Sequence, residues 1–284
     1  MSLDRLDSRY PSKRALITGA ASGLGLATAG LLAARGWRLG LLDRDAAALA
    51  VAAVELRARG SPLCEIHAVD TSDEAAVKSA VDDFAARCNG LDFAMNSAGV
   101  AVAGSLLETP AADWDWIVNI NLLGVAHCCR AELPRLVASG GGIVINIASA
   151  ASFACAGRMG AYNASKAAVV ALSETLYQEF ADSRVHVAVA MPGFFRTRLM
   201  DRARAPPGAA EFARRMMEAS NLEADAVAHE IVARAAAGAT HIVLPARYRW
   251  LWRFKRLAPR AYLRWMTSLQ RRYARQTAAH RTTK

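Results

Sequence analysis

Tyr162 and Lys166 lie four positions apart in Tyr162-Asn163-Ala164-Ser165-Lys166. On a helix that spacing puts both side chains on one face. A free phenol titrates near ~10, too high for a base at neutral pH. An ammonium beside it favours the phenolate. Lowering the phenol by about 3 units takes roughly 4 kcal/mol of differential stabilisation, which a fixed ammonium and a bound cationic ring together can supply. Such a pair is a general acid/base for an alcohol or a carbonyl. The spacing is common by chance, so its meaning depends on the elements that hold it.

Those elements alternate. Arg14 to Thr18 reads as a buried strand and runs into Gly19-Ala20-Ala21-Ser22-Gly23-Leu24-Gly25, then into an apolar helix from about Leu26 to Arg35. Strand, glycine turn and helix put backbone N–H groups and a helix N-terminus against a pyrophosphate. A second strand, Arg38 to Leu42, ends at Asp43. An acid about 20 residues past the glycines accepts ribose hydroxyls and repels a 2′-phosphate, while Arg44 beside it can bind that phosphate.

Ala46 to Arg59 reads as a helix, Cys64 to Val69 as a third strand ending at Asp70-Thr71, and Asp73 to Arg87 as a helix. Leu91 to Met95 is a fourth strand running into Asn96-Ser97-Ala98-Gly99, whose small residues admit a ligand close to the backbone. Asp113 to Arg135 reads as one long helix carrying Asn121. Ile143 to Ile147, Val185 to Ala190 and His241 to Leu244 are further strands, and Ala161 to Phe180 is the helix of Tyr162 and Lys166. The pattern predicts an α/β fold: a Rossmann-type, doubly wound parallel sheet. Each motif sits at a strand's carboxyl end, where such sheets bind ligands.

The 284 residues are 54 % hydrophobic, enough for a sizeable core. No apolar run is long enough to span a membrane, and Met1 to Lys13 lacks the apolar stretch of a signal peptide. Cys64, Cys88, Cys128, Cys129 and Cys155 have no metal spacing and suit a reducing, cytoplasmic setting. The six histidines are dispersed too, so no metal is expected. The net charge of +10 is concentrated at the end: from Pro245 to Lys284 there are twelve Lys or Arg and no acid, leaving 23 basic against 25 acidic residues before it.

These residues resemble the short-chain dehydrogenase/reductase family over about Lys13 to Pro245. Its T-G-x-x-x-G-x-G is matched by Thr18 to Gly25, its adenine-contacting aspartate by Asp70, and its N-N-A-G by Asn96 to Gly99, with Ser97 replacing the second asparagine. Its helix asparagine is matched by Asn121, its serine by Ser149, its Y-x-x-x-K by Tyr162 and Lys166, and its P-G-x-x-x-T by Pro192, Gly193 and Thr197. The resemblance implies NAD as cofactor, with NADP as the alternative. It implies contacts from Gly19, Ser22, Gly23, Leu24, Gly25, Asp43, Arg44, Asp70, Thr71, Asn96, Ala98, Gly99, Tyr162, Lys166, Pro192, Gly193 and Thr197. It also implies a mechanism: Tyr162 exchanges the substrate proton, Ser149 holds the substrate oxygen, Lys166 holds the nicotinamide ribose and depresses the tyrosine, and Asn121 positions a relaying water.

Residues 1–244 are expected to form the dinucleotide-binding and catalytic domain, with a substrate loop at about 194–221. That loop carries Phe194, Phe195, Leu199, Met200, Phe212, Met216 and Met217, which suit a lipophilic substrate or pack the loop on the body. Arg198, Arg202, Arg204, Arg214 and Arg215 read as solvated helix faces rather than clamps for an acidic substrate. Residues 245–284 form a basic, aromatic-rich tail. There Tyr262, Trp265, Met266, Leu269 and Tyr273 share a helix face, with Arg260, Arg264, Arg271 and Arg275 opposite. The face suits a peripheral membrane helix at the inner side of a membrane, or a helix docked on the body or a dimer partner. No nucleic acid partner is expected, since the body is not basic; a homodimer or homotetramer is. The expected function is alcohol–carbonyl oxidoreduction; the alternatives are a non-catalytic dinucleotide sensor or membrane-associated scaffold, or a body that merely carries a functional tail.

Overall fold

Strand β1, Arg14–Thr18, is buried along its whole length, as a near-continuous apolar run requires when helices cover both faces of a parallel sheet. It belongs to a computed structural model that describes Ser2 to Thr282 except Gly208, without the side chains of Ser2, Arg198, Phe212 and residues 273–282. Arg198, Phe212, Tyr273 and Arg275 of the loop and tail therefore lie outside the described side chains.

Helix α1, Ser2–Arg9, precedes β1. Then follow α2 (Gly23–Ala33), β2 (Arg38–Asp43), α3 (Ala46–Ala58), β3 (Cys64–Ala68), α4 (Glu74–Cys88) and β4 (Phe93–Asn96). The second half runs α5 (Ala111–Val118), α6 (Gly124–Ala138), β5 (Gly142–Ile147), α7 (Ala151–Ala154), α8 (Gly160–Glu179), β6 (Val185–Pro192), α9 (Glu211–Glu218), α10 (Ala224–Ala236), β7 (His241–Leu244), α11 (Ala246–Leu257) and α12 (Pro259–Thr282). The sheet order is β3-β2-β1-β4-β5-β6-β7 with every pair parallel. Strand order reverses between β1 and β4, the switch point where such sheets open a crevice. Register sets Thr18 opposite both Leu42 and Asn96.

Local chemistry fixes the helix ends. Asp45 accepts from Ala48 N at 3.1 Å and Asp73 from Ala76 N at 3.0 Å, capping α3 and α4. Asn89 ends α4 in the left-handed conformation, φ +57°. Two apolar layers enclose the sheet, one including Leu32, Trp37 and Ile231, the other Phe84, Leu136 and Val169. The N-terminal segment packs on the body. Leu3 and Leu6 are buried in the first layer, and Asp7 accepts from Trp37 Nε1 at 2.9 Å. At the same end of the sheet Arg14 grips Asp92 through Nε (2.9 Å) and Nη2 (2.7 Å), locking β1 to the start of β4.

The long helix expected from Asp113 to Arg135 forms, running from Ala111 to Ala138 with one widened turn. A π-turn, Asn119–Leu123, separates α5 from α6. Its cause is visible: Asn121 pairs with both backbone groups of Val100 (2.8 and 3.0 Å), which draws the turn inward. Among the described residues no helix is long and apolar enough to cross a membrane.

Candidate active site

The hydroxyl of Thr18 accepts hydrogen bonds from the amides of Ser97 and Ala98, both at 3.1 Å. This draws the turns after β1 and β4 together. Gly19 leaves β1 at φ +67°, and a Cβ there would lie 2.9 Å from the Ala98 nitrogen. Only glycine satisfies both demands. Gly23, φ +55°, opens α2, and Ser22 before it makes no side-chain cap. First-turn amides of an uncapped helix are donors for an anion.

These turns form one wall of a cleft of about 440 Å³, within the usual range for cofactor and substrate sites. Gly19, Ser22, Gly23, Leu24, Asp43, Arg44, Asp70, Thr71, Ala98 and Gly99 line it, as do Ser149, Tyr162, Lys166, Pro192, Gly193 and Thr197. Asp43 is held in place: its Oδ2 accepts from Ala21 N at 3.2 Å and its Oδ1 from Asp45 N at 3.1 Å. Arg44 beside it is exposed. The glycine cradle, the free helix end and the fixed Asp43 carboxylate fit a dinucleotide. Among the described residues no group of three or more His, Cys, Asp or Glu could hold a metal ion.

Three expected site residues stand behind the walls. Gly25 faces the carbonyl of Gly19, where a Cβ would collide; its part is the close packing of α2 on β1. Asn96 points away from the cleft: its Nδ2 donates to Asn146 Oδ1 at 2.9 Å and Glu132 Oε2 at 3.0 Å. Alternation along β4 sends its side chain toward α6, leaving the next three residues to face the cleft. Asn121 is buried behind Gly99, where a Cβ would lie 3.2 Å from Asn121 Oδ1 and 3.4 Å from Lys166 Nζ.

Tyr162 and Lys166 occupy successive turns of α8, and Ser149 sits in the loop after β5. Ser149 Oγ accepts from Ala151 N at 3.1 Å. Lys166 Nζ donates to the carbonyl of Ile147 at 2.8 Å, and burial lowers its pKa to about 8. Burial pushes the Tyr162 phenol up, and Ser149 pulls it partly back. Desolvation dominates, and the ammonium is engaged with Ile147. Chemically, the hydroxyls of Ser149 and Tyr162 suit an oxygen that gains or loses a proton.

The loop between Phe194 and Asn221 folds over the cleft. Phe194, Leu199, Met200, Ala213 and Met217 pack with Tyr162 and Ile120. Arg202 Nη2 reaches Asp45 Oδ2 at 2.9 Å, beside the acid-bearing end of β2. Arg204 pairs with Asp113 at 3.0 Å and stacks on Trp116 at 3.9 Å. These arginines are exposed and pair with the protein's own carboxylates. Tail residues Tyr248, Leu251, Tyr262 and Met266 also line the cleft, which the sequence reading missed. The helical stripe was legible, but not the surface it faces. Tyr262 is fully buried, so part of the stripe is docked on the body, the alternative to a membrane face.

A doubly wound parallel sheet, a glycine cradle at its carboxyl edge and serine, tyrosine and lysine in the adjoining cleft define a Rossmann-fold oxidoreductase. The chain belongs to the short-chain dehydrogenase family, whose model matches residues 13–207. It is 37 % identical over 204 residues to D-threitol dehydrogenase of Mycolicibacterium smegmatis, a match covering 72 % of this chain and 77 % of that protein. Among solved structures, a short-chain dehydrogenase/reductase from Burkholderia phymatum in complex with NAD superposes with TM-score 0.79. It is 31 % identical, and the match covers 86 % of this chain and 94 % of that one. A short-chain dehydrogenase from Sphingobium yanoikuyae in complex with NADPH gives TM-score 0.75 at 27 % identity, covering 88 % and 94 %.

Proposed function

We propose that the protein interconverts an alcohol and a ketone or aldehyde on a lipophilic molecule, with NAD as hydride partner and NADP as the lesser one. The observation that carries this is the meeting of Ser149, Tyr162 and Lys166 in a cleft also lined by Phe153, Phe194, Leu199, Met200 and Met217. An apolar lining favours a substrate less polar than the polyol named for the relative from M. smegmatis. A bound nicotinamide would supply or take the hydride and, when oxidised, a positive charge beside the phenol.

The protein does the rest. Gly19, Ser22, Gly23 and Leu24 hold the pyrophosphate with backbone donors and the α2 dipole. Asp43 takes the ribose hydroxyls, and Asp70 and Thr71 border the adenine. Ala98, Gly99, Pro192, Gly193 and Thr197 flank the nicotinamide half, and Lys166 holds its ribose. Ser149 donates to the substrate oxygen and steadies the charge that develops there. Tyr162 exchanges the proton with that oxygen. Asn121 and Lys166 flank Gly99, the place for a water that relays the proton outward.

A change in NADH absorbance against a panel of secondary alcohols and ketones tests this reading. Cofactor binding with no turnover of any panel member would instead favour a dinucleotide sensor.

A second observation concerns location. Leu257 is 85 % exposed, Trp250 61 % and Leu263 53 %, around the α11–α12 turn in the segment that carries the basic excess. This combination suits the surface of an anionic membrane. The same reading takes residues 1–244 as the catalytic domain, 245–284 as the tail, and a cytoplasmic homodimer or homotetramer as the assembly. Light scattering of the full chain tests the assembly.

A further inference from the structure

The C-terminal helices do not lie free of the cleft. Tyr248 of α11 is laid on Gly193, and a Cβ at that glycine would run into its ring. Tyr262 of α12 is wholly buried. Its hydroxyl donates to the carbonyl of Ala154 at 3.4 Å, and its ring packs edge-on to Phe254 at 5.6 Å. Gln270, two turns further on, touches the place of a Cβ on Gly157 at 3.1 Å. Lys255 Nζ reaches Cys155 Sγ at 3.1 Å. Four separate contacts thus seat the tail on the two segments that border the reacting groups: 154–157, between Ser149 and Tyr162, and the start of the loop after β6.

Tyr262 and Met266 are one helical turn apart and line the same cleft as Ser149, Tyr162 and Met217. We infer that α12 is the outer wall of the substrate pocket. Met266, with Tyr262 behind it, sets how long an apolar group the pocket accepts on the side of the substrate away from the reacting carbon. The inference rests on the proposed alcohol–carbonyl chemistry for the identity of the ligand, and on the packing alone for the wall. Tyr262 and Met266 are specificity-determining residues that take no part in proton transfer. Met266 is the better probe because it is only partly buried, so a larger or smaller side chain there leaves the Tyr262 anchor in place.

The test uses the full-length protein loaded with NADH and a series of straight-chain methyl ketones from four to twelve carbons. Wild type, Met266→Trp and Met266→Ala are compared by kcat/KM. Calorimetric Kd values for the same ketones are measured on each in a Tyr162→Phe background. Met266→Trp is expected to weaken the ten- and twelve-carbon ketones at least tenfold more than the four-carbon one, and Met266→Ala to move the preferred length upward. The two variants act in opposite directions, so general misfolding cannot mimic the pair. Equal fold-changes at every length, or no ketone bound by any form, would overturn the wall. If Kd shows the length dependence while no form turns over a ketone, the wall stands and the proposed reaction falls.

Discussion

Asn96 Nδ2 donates a 3.0 Å hydrogen bond to Glu132 Oε2, and both side chains are buried behind the cleft wall. Glu132 Oε1 and Asn96 Oδ1 have no partner among the described residues. Burial raises the Glu132 carboxyl to about 7, and the Asn96 hydrogen bond opposes that rise. Near neutral pH this carboxyl therefore carries a proton for much of the time, one helical turn from Cys128 on α6.

The sign of its effect on stability follows. An unfolded glutamate releases its proton near ~4.3, whereas Glu132 keeps it up to about 7. Between those values the folded chain binds the extra proton, so stability falls as pH rises. The contribution is complete below ~4.3 and lost through about 7. Glu132→Gln keeps an oxygen for Asn96 and carries no charge. We expect its advantage over wild type to grow by roughly 2.5 kcal/mol between pH 5 and pH 8, read by urea unfolding. The same difference at both pH values would show that Glu132 does not titrate there.

Tyr162→Phe removes the hydroxyl that exchanges the substrate proton and keeps the ring in its packing. Turnover is expected to fall at least about 100-fold, the usual scale for a general acid/base, with NADH affinity nearly unchanged. Stopped-flow rates and a fluorescence titration measure the two quantities separately. Turnover near that of wild type would remove the tyrosine from the mechanism.

Asp43 is fixed by the amides of Ala21 and Asp45, and an acid at this strand end repels a 2′-phosphate. NADH is expected to bind at least about tenfold more tightly than NADPH, a difference of roughly 1.4 kcal/mol. Asp43→Ser should narrow or reverse it, because Arg44 then faces the phosphate without an acid beside it. Tighter NADPH binding by wild type would show that Arg44 governs the site.

The tail should bring the full-length protein down with vesicles rich in anionic lipid, less so with neutral ones, and less at high salt. Leu257→Asp removes the most exposed apolar side chain of the α11–α12 turn and is expected to reduce the salt-resistant fraction. Protein that stays in solution with both vesicle types would leave the tail with its packing role alone.

Much of this was settled within short windows of sequence. The turn from Thr18 to Gly25 declares itself because a positive φ and a close backbone approach admit only glycine. The helical repeat places Tyr162 and Lys166 on one face, and their position after the other motifs marks them out from a chance spacing. Asp43 follows from a strand end, since a parallel sheet gathers its strand ends at one edge; Ser149 was named by the family resemblance. What the sequence left open depends on partners far along the chain. Asn96 faces Glu132 rather than the cleft because of the pleat of β4 and the position of α6. The π-turn at Asn121 exists because its amide finds the Val100 backbone. The stripe on α12 was legible as a stripe, but that Tyr262 turns inward was fixed by the segment 154–157. Periodicity shows that a face is apolar; only the packed chain shows what covers it.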